Sequence, residues 1–281
     1  LSYQGLDRGR IITNRDAATN IHGGRDIDRA CRHRDLCDSV PPYSTDGGTD
    51  QIHAGGGNEM GSMRTLKASD GHELAAYEAI PEGTQRGSLV VIQEIFGVNV
   101  HIREVCDKFA GEGYLSIAPA VFDRVEPGVE LGYTPEDIER GRNFMGQLSW
   151  RNTMTDVEAA ADAVAGDKRP GIVGYCYGGT VTWVAACRLD LTCAVGYYGG
   201  GIIDFVDESP KCPTMLHFGE RDTGIPMSDV KEISGKHPEI TVHTYAEAEH
   251  GFNCDRRASY HETDAKLALE RTNAFLFQQF L

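Results

Sequence analysis

Gly171-Ile172-Val173-Gly174-Tyr175-Cys176-Tyr177-Gly178-Gly179-Thr180 decides how the rest of the chain is read. Gly171 to Tyr175 is a short apolar run of the kind a buried strand shows, and the small-residue segment Gly178 to Cys187 reads as a helix. Between them stands Gly174-x-Cys176-x-Gly178, the pattern of a nucleophile elbow with cysteine where serine is usual. A side chain on so tight a strand-to-helix turn is in strained φ/ψ, and glycines two residues either side avoid collisions with neighbouring backbone. The turn lifts the thiol above the sheet toward the first N–H groups of the helix, which favour negative charge on a thiolate or an oxyanion. A buried structural cysteine in a Gly-rich turn would use the same residues, so the decision falls to the flanking sequence.

Upstream, Arg64–Ala68 and Glu73–Ile80 read as a hairpin across Ser69-Asp70-Gly71-His72. Ser88–Gln93 is a continuous apolar run suited to a buried parallel strand, and it ends in Glu94-Ile95-Phe96-Gly97. Asn99 caps a helix that Gly111 and Gly113 stop, and Tyr114–Pro119 is the next strand. A loop over Ala120–Tyr133 carries Asp123 and Arg124. Thr134-Pro135 starts a helix, and another runs from about Thr153 to Ala165. Downstream of the elbow, Cys193–Tyr198, Thr214–Phe218 and Ile240–Tyr245 read as strands, Ser228–Lys236 as a short helix and Glu262–Phe280 as a long terminal helix. The alternation predicts an α/β fold, a mostly parallel sheet with helices on both faces. Ligands of such sheets sit beyond the carboxyl ends of the strands. Glu94, Arg124, Cys176, Asp222 and His250 all fall just after strands.

The 281 residues, 40% of them hydrophobic, suffice for one sizeable core, and a formal charge of −15 argues against nucleic acid and anionic membrane surfaces as partners. No apolar run approaches the ~20 residues of a spanning helix, and the first thirty residues lack the apolar stretch of a secretory signal. The expectation is a soluble cytoplasmic protein, a monomer or small homo-oligomer. Eight cysteines without a C-x-x-C spacing suggest neither a zinc site nor a disulfide framework. Cys106, Cys187, Cys193 and Cys212 read as small core residues.

Residues 1–62 differ from the rest, with seven Arg, no Lys and ten Gly, and no helical or strand period. The chain opens on Leu1, while Met60 and Met63 stand where protein-like patterning begins. The expectation is a disordered or spurious extension over 1–62 and a single domain over 63–281. An Arg-rich interaction arm is the alternative, although nine acidic residues nearly balance its charge.

A thiol nucleophile needs a base, and the base needs an acid to fix its tautomer. The chain offers both in the order nucleophile, acid, histidine: Asp222 after the strand and turn of His217-Phe218-Gly219, and His250 after the strand ending at Tyr245. Gly251 lets the histidine loop bend back to the elbow. His237 and His261 read as surface residues. The three residues in order make Cys176 a candidate nucleophile, with Asp222 and His250 completing a triad. Activity is then expected to fall in mild acid as the histidine protonates.

Gln93-Glu94-Ile95-Phe96-Gly97, Gly174-Tyr175-Cys176-Tyr177-Gly178-Gly179, Tyr197-Tyr198-Gly199, His217-Phe218-Gly219 with Asp222, and His250-Gly251-Phe252 together resemble the dienelactone hydrolase (carboxymethylenebutenolidase) family over residues 63–281. The resemblance implies an α/β-hydrolase fold, a Cys–Asp–His triad and cofactor-free opening of lactone or enol-ester rings by water. It gives Glu94 a role as the carboxylate that contacts the resting thiol and takes its proton once substrate binds. It matches the backbone N–H groups of Ile95 and Tyr177 to the oxyanion hole, and Arg124 to an arginine that binds the substrate carboxylate. Read from the residues alone, Glu94 is equally a structural acid and Arg124 an exposed loop arginine. The family can carry a second arginine four residues after the histidine; here Cys254 stands there, with Arg256 and Arg257 as possible substitutes. Cys254 is then a pocket-lining bystander or a second reactive thiol.

The expected function is hydrolysis of a small lactone or ester, in the first place dienelactone ring opening through a thioester acyl-enzyme, with no metal, nucleotide or flavin. A broad carboxylesterase or thioesterase is the alternative within enzymes. A redox-sensing thiol without turnover is the alternative outside them, but a sensor needs neither Asp222 nor His250.

Overall fold

An antiparallel hairpin, β1 (Gly61–Lys67) and β2 (Glu73–Ala79), leads into the sheet. The structure is a computed structural model that describes residues 61–281. The expectations for residues 1–60 lie outside the described residues. β1 begins two residues before the expected boundary, because Gly61 and Ser62 pair with Ala79 and Glu78.

There follow β3 (Gly87–Ile92), α1 (Val100–Gly111), β4 (Tyr114–Pro119), α2 (Pro135–Gln147), α3 (Trp150–Ala163) and β5 (Gly171–Tyr175). The remainder is α4 (Tyr177–Arg188), β6 (Ala194–Tyr197), β7 (Thr214–Gly219), α5 (Met227–Lys236), β8 (Thr241–Tyr245) and α6 (Glu262–Gln279). The strands make one sheet in the order β1-β2-β4-β3-β5-β6-β7-β8. β2 pairs antiparallel with β1 and β4, and every pair from β4 across to β8 is parallel. This is the expected α/β-hydrolase architecture. Every residue of β5, β6 and β7 is buried, as is all of β3 but Gly87. Strands with no exposed residue are covered on both faces.

The sequence places the helix starts. Asn99 Oδ1 accepts from Ile102 N at 3.3 Å, and Thr134 forms a capping box with Asp137 ahead of Pro135. α3 starts three residues earlier than its apolar pattern predicts, because Ser149 Oγ caps it by accepting from Asn152 N at 3.2 Å. Two short 3-10 turns, Val121–Arg124 and Gly200–Phe205, lie in segments without a regular period. Cys106, Cys187 and Cys193 are buried and Cys212 is half-buried. His237, expected on the surface, is buried instead. Its Nε2 bonds the Val206 carbonyl at 2.7 Å, and its ring packs against Trp183. Among the described residues, no helix is long and apolar enough to cross a membrane.

His217, on β7 beside the edge strand β8, is fully buried and bonded to Tyr245 Oη at 2.8 Å and Thr272 Oγ1 at 3.1 Å. Burial, with smaller contributions from His243 and Arg271, holds its imidazole well below the ordinary histidine range. The folded state therefore keeps it neutral at pH values where the unfolded chain protonates it near 6.5. The unfolded state binds more protons, so stability falls as pH drops below that value, by about 1.4 kcal/mol per pH unit from this residue. Urea unfolding of the native protein and His217→Gln between pH 7 and 5 checks this: the variant is expected to lose that part of the slope, and parallel slopes would contradict it.

Candidate active site

Because β3, β4, β5, β7 and β8 run parallel, the segments that follow them meet along one edge of the sheet. Glu94 and Ile95 follow β3, Cys176 follows β5, Asp222 follows β7 and His250 follows β8. Cys176 is the cap residue of α4 and has φ 55°, ψ −116°. A positive φ at a non-glycine residue costs about 1–3 kcal/mol, strain the fold has to hold in place. The elbow also needs Gly178. A Cβ there would lie 2.4 Å from the Ile92 carbonyl oxygen and 2.5 Å from that of Gln93, so only glycine lets α4 begin this close to the end of β3.

The thiol meets the candidate imidazole. His250 Nε2 is 3.1 Å from Cys176 Sγ, and Nδ1 is 2.7 Å from Asp222 Oδ2. A carboxylate on Nδ1 fixes that nitrogen as the N–H donor and leaves Nε2 to face the sulfur. Asp222 is itself held, with Oδ1 accepting from Gly224 N at 2.9 Å. All three residues are buried, at 7% exposure for Cys176, 5% for Asp222 and 7% for His250. Gly251 has φ +78°, the left-handed conformation that turns the histidine loop back over the sheet. Tyr198 packs edge-on against the His250 ring, with centroids 5.2 Å apart, and steadies it from the far side. Its support was hidden in the Tyr197-Tyr198-Gly199 stretch, where nothing distinguishes a packing tyrosine from one beside the chemistry.

Tyr177 opens α4, where the first N–H groups of a helix point out of its N-terminal end. Ile95 is buried and covered by α2: the Ile95 carbonyl oxygen would be 2.2 Å from a Cβ at Gly141. The two expected oxyanion-hole residues thus belong to neighbouring segments, after β3 and β5.

Glu94 is 1% exposed, and its Oε1 lies 3.2 Å from Nη1 of Arg257. Arg257 is equally enclosed, with 9% of its side chain exposed and its guanidinium above the Phe96 ring. Burial opposes the Arg257 charge, but Glu94, Cys176, Tyr198 and Cys254 around it hold its pKa above the ordinary arginine value. Arg256, the other candidate substitute, faces outward and pairs with Glu104. Cys254 is fully buried and its thiol bonds Tyr133 Oη at 3.4 Å.

Arg124 is turned to protein carboxylates. Its Nε and Nη2 bond Asp156 at 2.8 and 2.7 Å, and its Nη1 bonds Asp70 at 2.7 Å. All three nitrogens of the fork are engaged, so the planar face expected to take a substrate carboxylate is filled by Asp156. The cation that shares the thiol's surroundings is Arg257, and the adjacency of Arg256 and Arg257 in sequence could not tell which one points inward.

The description Dienelactone hydrolase family matches residues 74–281 of this chain. A carboxymethylenebutenolidase of Pseudomonas putida is 32% identical over 225 residues, covering 75% of this chain and 94% of that protein. A Synechocystis sp. protein, provisionally named a carboxymethylenebutenolidase, is 37% identical over 226 residues, 73% of this chain and 92% of that protein. Among solved structures, a provisionally named dienelactone hydrolase from Klebsiella pneumoniae superposes with a TM-score of 0.68 at 29% identity, covering 78% of this chain and 99% of that one.

Proposed function

The chain belongs to the dienelactone hydrolase family, a family of hydrolases acting on lactones and esters, and from that premise we propose that it opens small anionic lactones of the dienelactone (carboxymethylenebutenolide) type with Cys176 as nucleophile. The observation that carries this reading is the unbroken line from Asp222 through His250 to Cys176, at 2.7 and 3.1 Å. Such a line has no structural purpose that an apolar core would not serve better.

In this proposal the substrate carboxylate binds Arg257 and competes with Glu94 for it. Glu94, released, takes the proton of the Cys176 thiol and leaves the thiolate, the form that attacks. The thiolate adds to the lactone carbonyl carbon, and the oxygen that becomes negative is held by the N–H groups of Ile95 and Tyr177, each donor worth roughly 3 kcal/mol in the transition state. Collapse of the tetrahedral intermediate breaks the acyl carbon–oxygen bond and opens the ring to an enolate, which is protonated. His250 Nε2 then takes a proton from water, the hydroxide attacks the thioester, and the thiol is regenerated.

Hydrolysis of dienelactone isomers, measured beside that of neutral aryl esters, tests the reading. Higher kcat/KM for the lactones supports it, and faster turnover of the neutral esters would make the protein a broad carboxylesterase. Arg257→Lys keeps the charge but not the bidentate fork. It is expected to raise KM for the anionic lactone about tenfold, a loss of roughly 1.4 kcal/mol, while KM for a neutral ester stays within about twofold. An equal rise for both substrates would remove Arg257 from carboxylate binding.

A further inference from the structure

Behind the triad, three polar side chains meet in the interior, two from the segment after β3 and one from far downstream. Glu94 follows β3, His101 lies in the first turn of α1 and Cys254 follows the histidine loop. One donor atom from each, a carboxylate oxygen, an imidazole nitrogen and a sulfur, lies within 4.8 Å of the other two, and all three residues are buried. His101 is 1% exposed, and neither ring nitrogen has a partner within hydrogen-bond distance; against the pull of burial, Asp255, 3.6 Å from Nδ1, and Cys254 beside it hold the imidazole's pKa up at about 10. Buried imidazoles are almost always hydrogen-bonded, and one whose Nε2 has no hydrogen bond while it faces a carboxylate and a sulfur calls for a reason. Sequence spacing gives no hint of the cluster, because Glu94 and His101 stand seven residues apart, outside the usual metal-ligand spacings, and Cys254 lies far downstream.

We infer that Glu94, His101 and Cys254 form a binding site for one divalent transition ion of zinc's class. A thiolate, an imidazole and a carboxylate are the donor set that suits Zn²⁺ or Co²⁺ and not the hard, all-oxygen preference of Mg²⁺ or Ca²⁺. Zinc bonds of about 2.0–2.3 Å put tetrahedral ligands roughly 3.5 Å apart, so the cluster has to close by about an ångström. The long side chain of Glu94 and the rotamer of Cys254 allow that. An outer partner is already in place, since Asp255 Oδ1 stands 3.6 Å from His101 Nδ1. With Nε2 on the ion, Nδ1–H would donate to that carboxylate, the usual way a metal-bound histidine is oriented. A cavity of about 390 Å³ between α1 and α6, lined by His101, Asp255, Asn253 and Tyr175 among others, reaches the cluster on its His101 side. On binding, the Cys254 thiol and the His101 imidazolium each give a proton to solvent, the sulfur and Nε2 bond the ion, and no electron changes hands. Tyr133 Oη, 3.4 Å from Cys254 Sγ, can then donate to the thiolate.

One consequence rests on the function proposed above. An ion that holds Glu94 withholds the carboxylate assigned to the Cys176 proton, so the occupied site is inhibitory and a chelator restores activity. The test uses the full chain, stripped with EDTA and titrated with Co²⁺ alone. One equivalent is expected to produce a sulfur-to-cobalt charge-transfer band that Zn²⁺ then displaces. Cys176→Ser should retain the band, Cys254→Ser and Cys254→Ala should lose it, and His101→Gln should weaken binding at least about tenfold, each variant being checked for native circular dichroism. No band in the native protein, a band that survives loss of Cys254, or one that disappears with Cys176 would overturn the site. The hydrolytic arm is separate: stoichiometric Zn²⁺ should cut dienelactone turnover at least about tenfold. Binding without inhibition would overturn the inhibitory role while leaving the ion site standing.

Discussion

Cys176→Ala is expected to lower kcat for lactone hydrolysis by about four orders of magnitude or more, leaving only what binding and the oxyanion donors contribute. The effect belongs to chemistry and not to folding. Alanine meets the same backbone strain at φ 55° as cysteine does and removes only a sulfur from a buried position. Thermal unfolding should therefore stay within a few degrees of the native protein. Asp222→Asn should approach the same loss by a different route. Its amide can donate to Nδ1 and so favour the tautomer that puts a proton on Nε2, facing the sulfur. In His250→Ala, incubation with substrate should leave an acyl group on Cys176, visible as an added mass on the peptide that contains it. Residual activity in Cys176→Ala above about a tenth of the native rate would remove the thiol from the mechanism.

The second large effect lies outside the triad. Asp156→Ala leaves the Arg124 fork with Asp70 alone, at the exposed end of the pair. The Asp156 side chain is wholly buried and that of Arg124 only 11% exposed, so the change strands a charge in the interior. Breaking such a pair costs about 3 kcal/mol, the lower end of the usual range because Asp70 and some water remain. In a domain of this size that lowers Tm by roughly 6–12 °C. Burial already pushes the Asp156 carboxyl above the ordinary range, although Arg124 pulls it back, which marks the pair as expensive to hold. Replacing both partners, Asp156→Leu with Arg124→Met, should therefore cost less than the single change. If Arg124 is structural in this way, KM for dienelactone in Asp156→Ala stays within about twofold of the native value. A large rise in KM at unchanged Tm would return Arg124 to the substrate.

The strands were legible because a strand buried on both faces has to be apolar throughout, as Ser88–Gln93 and Gly171–Tyr175 are, and β4 runs over Tyr114–Pro119 as its sequence predicts. The order Cys176, Asp222, His250 was legible because each follows such a run. Strand order was not: nothing in the sequence places β4 between β2 and β3, since that depends on which way a crossover turns. The start of α3 was missed because its first turn is held by a Ser149 hydroxyl and not by an apolar stripe. Arg124 illustrates a deeper limit. Its position in the motif was readable, but its partner Asp156 lies in α3, and whether a guanidinium meets protein or substrate is decided across the fold. Arg257 and the Glu94–His101–Cys254 cluster escaped for the same reason, each being a meeting of separate segments.

From β5 to β8 the strands lie side by side in the order in which they occur in the chain. The proposed nucleophile, Cys176, follows the first of these strands, and His250 follows the last. A chain that stops before β8, or that fails to dock it, holds a thiol with no imidazole to serve it. Under the proposed mechanism, turnover is therefore a check on assembly: synthesis has to run past β8, and that outermost strand has to find its place, before the first bond can be cut.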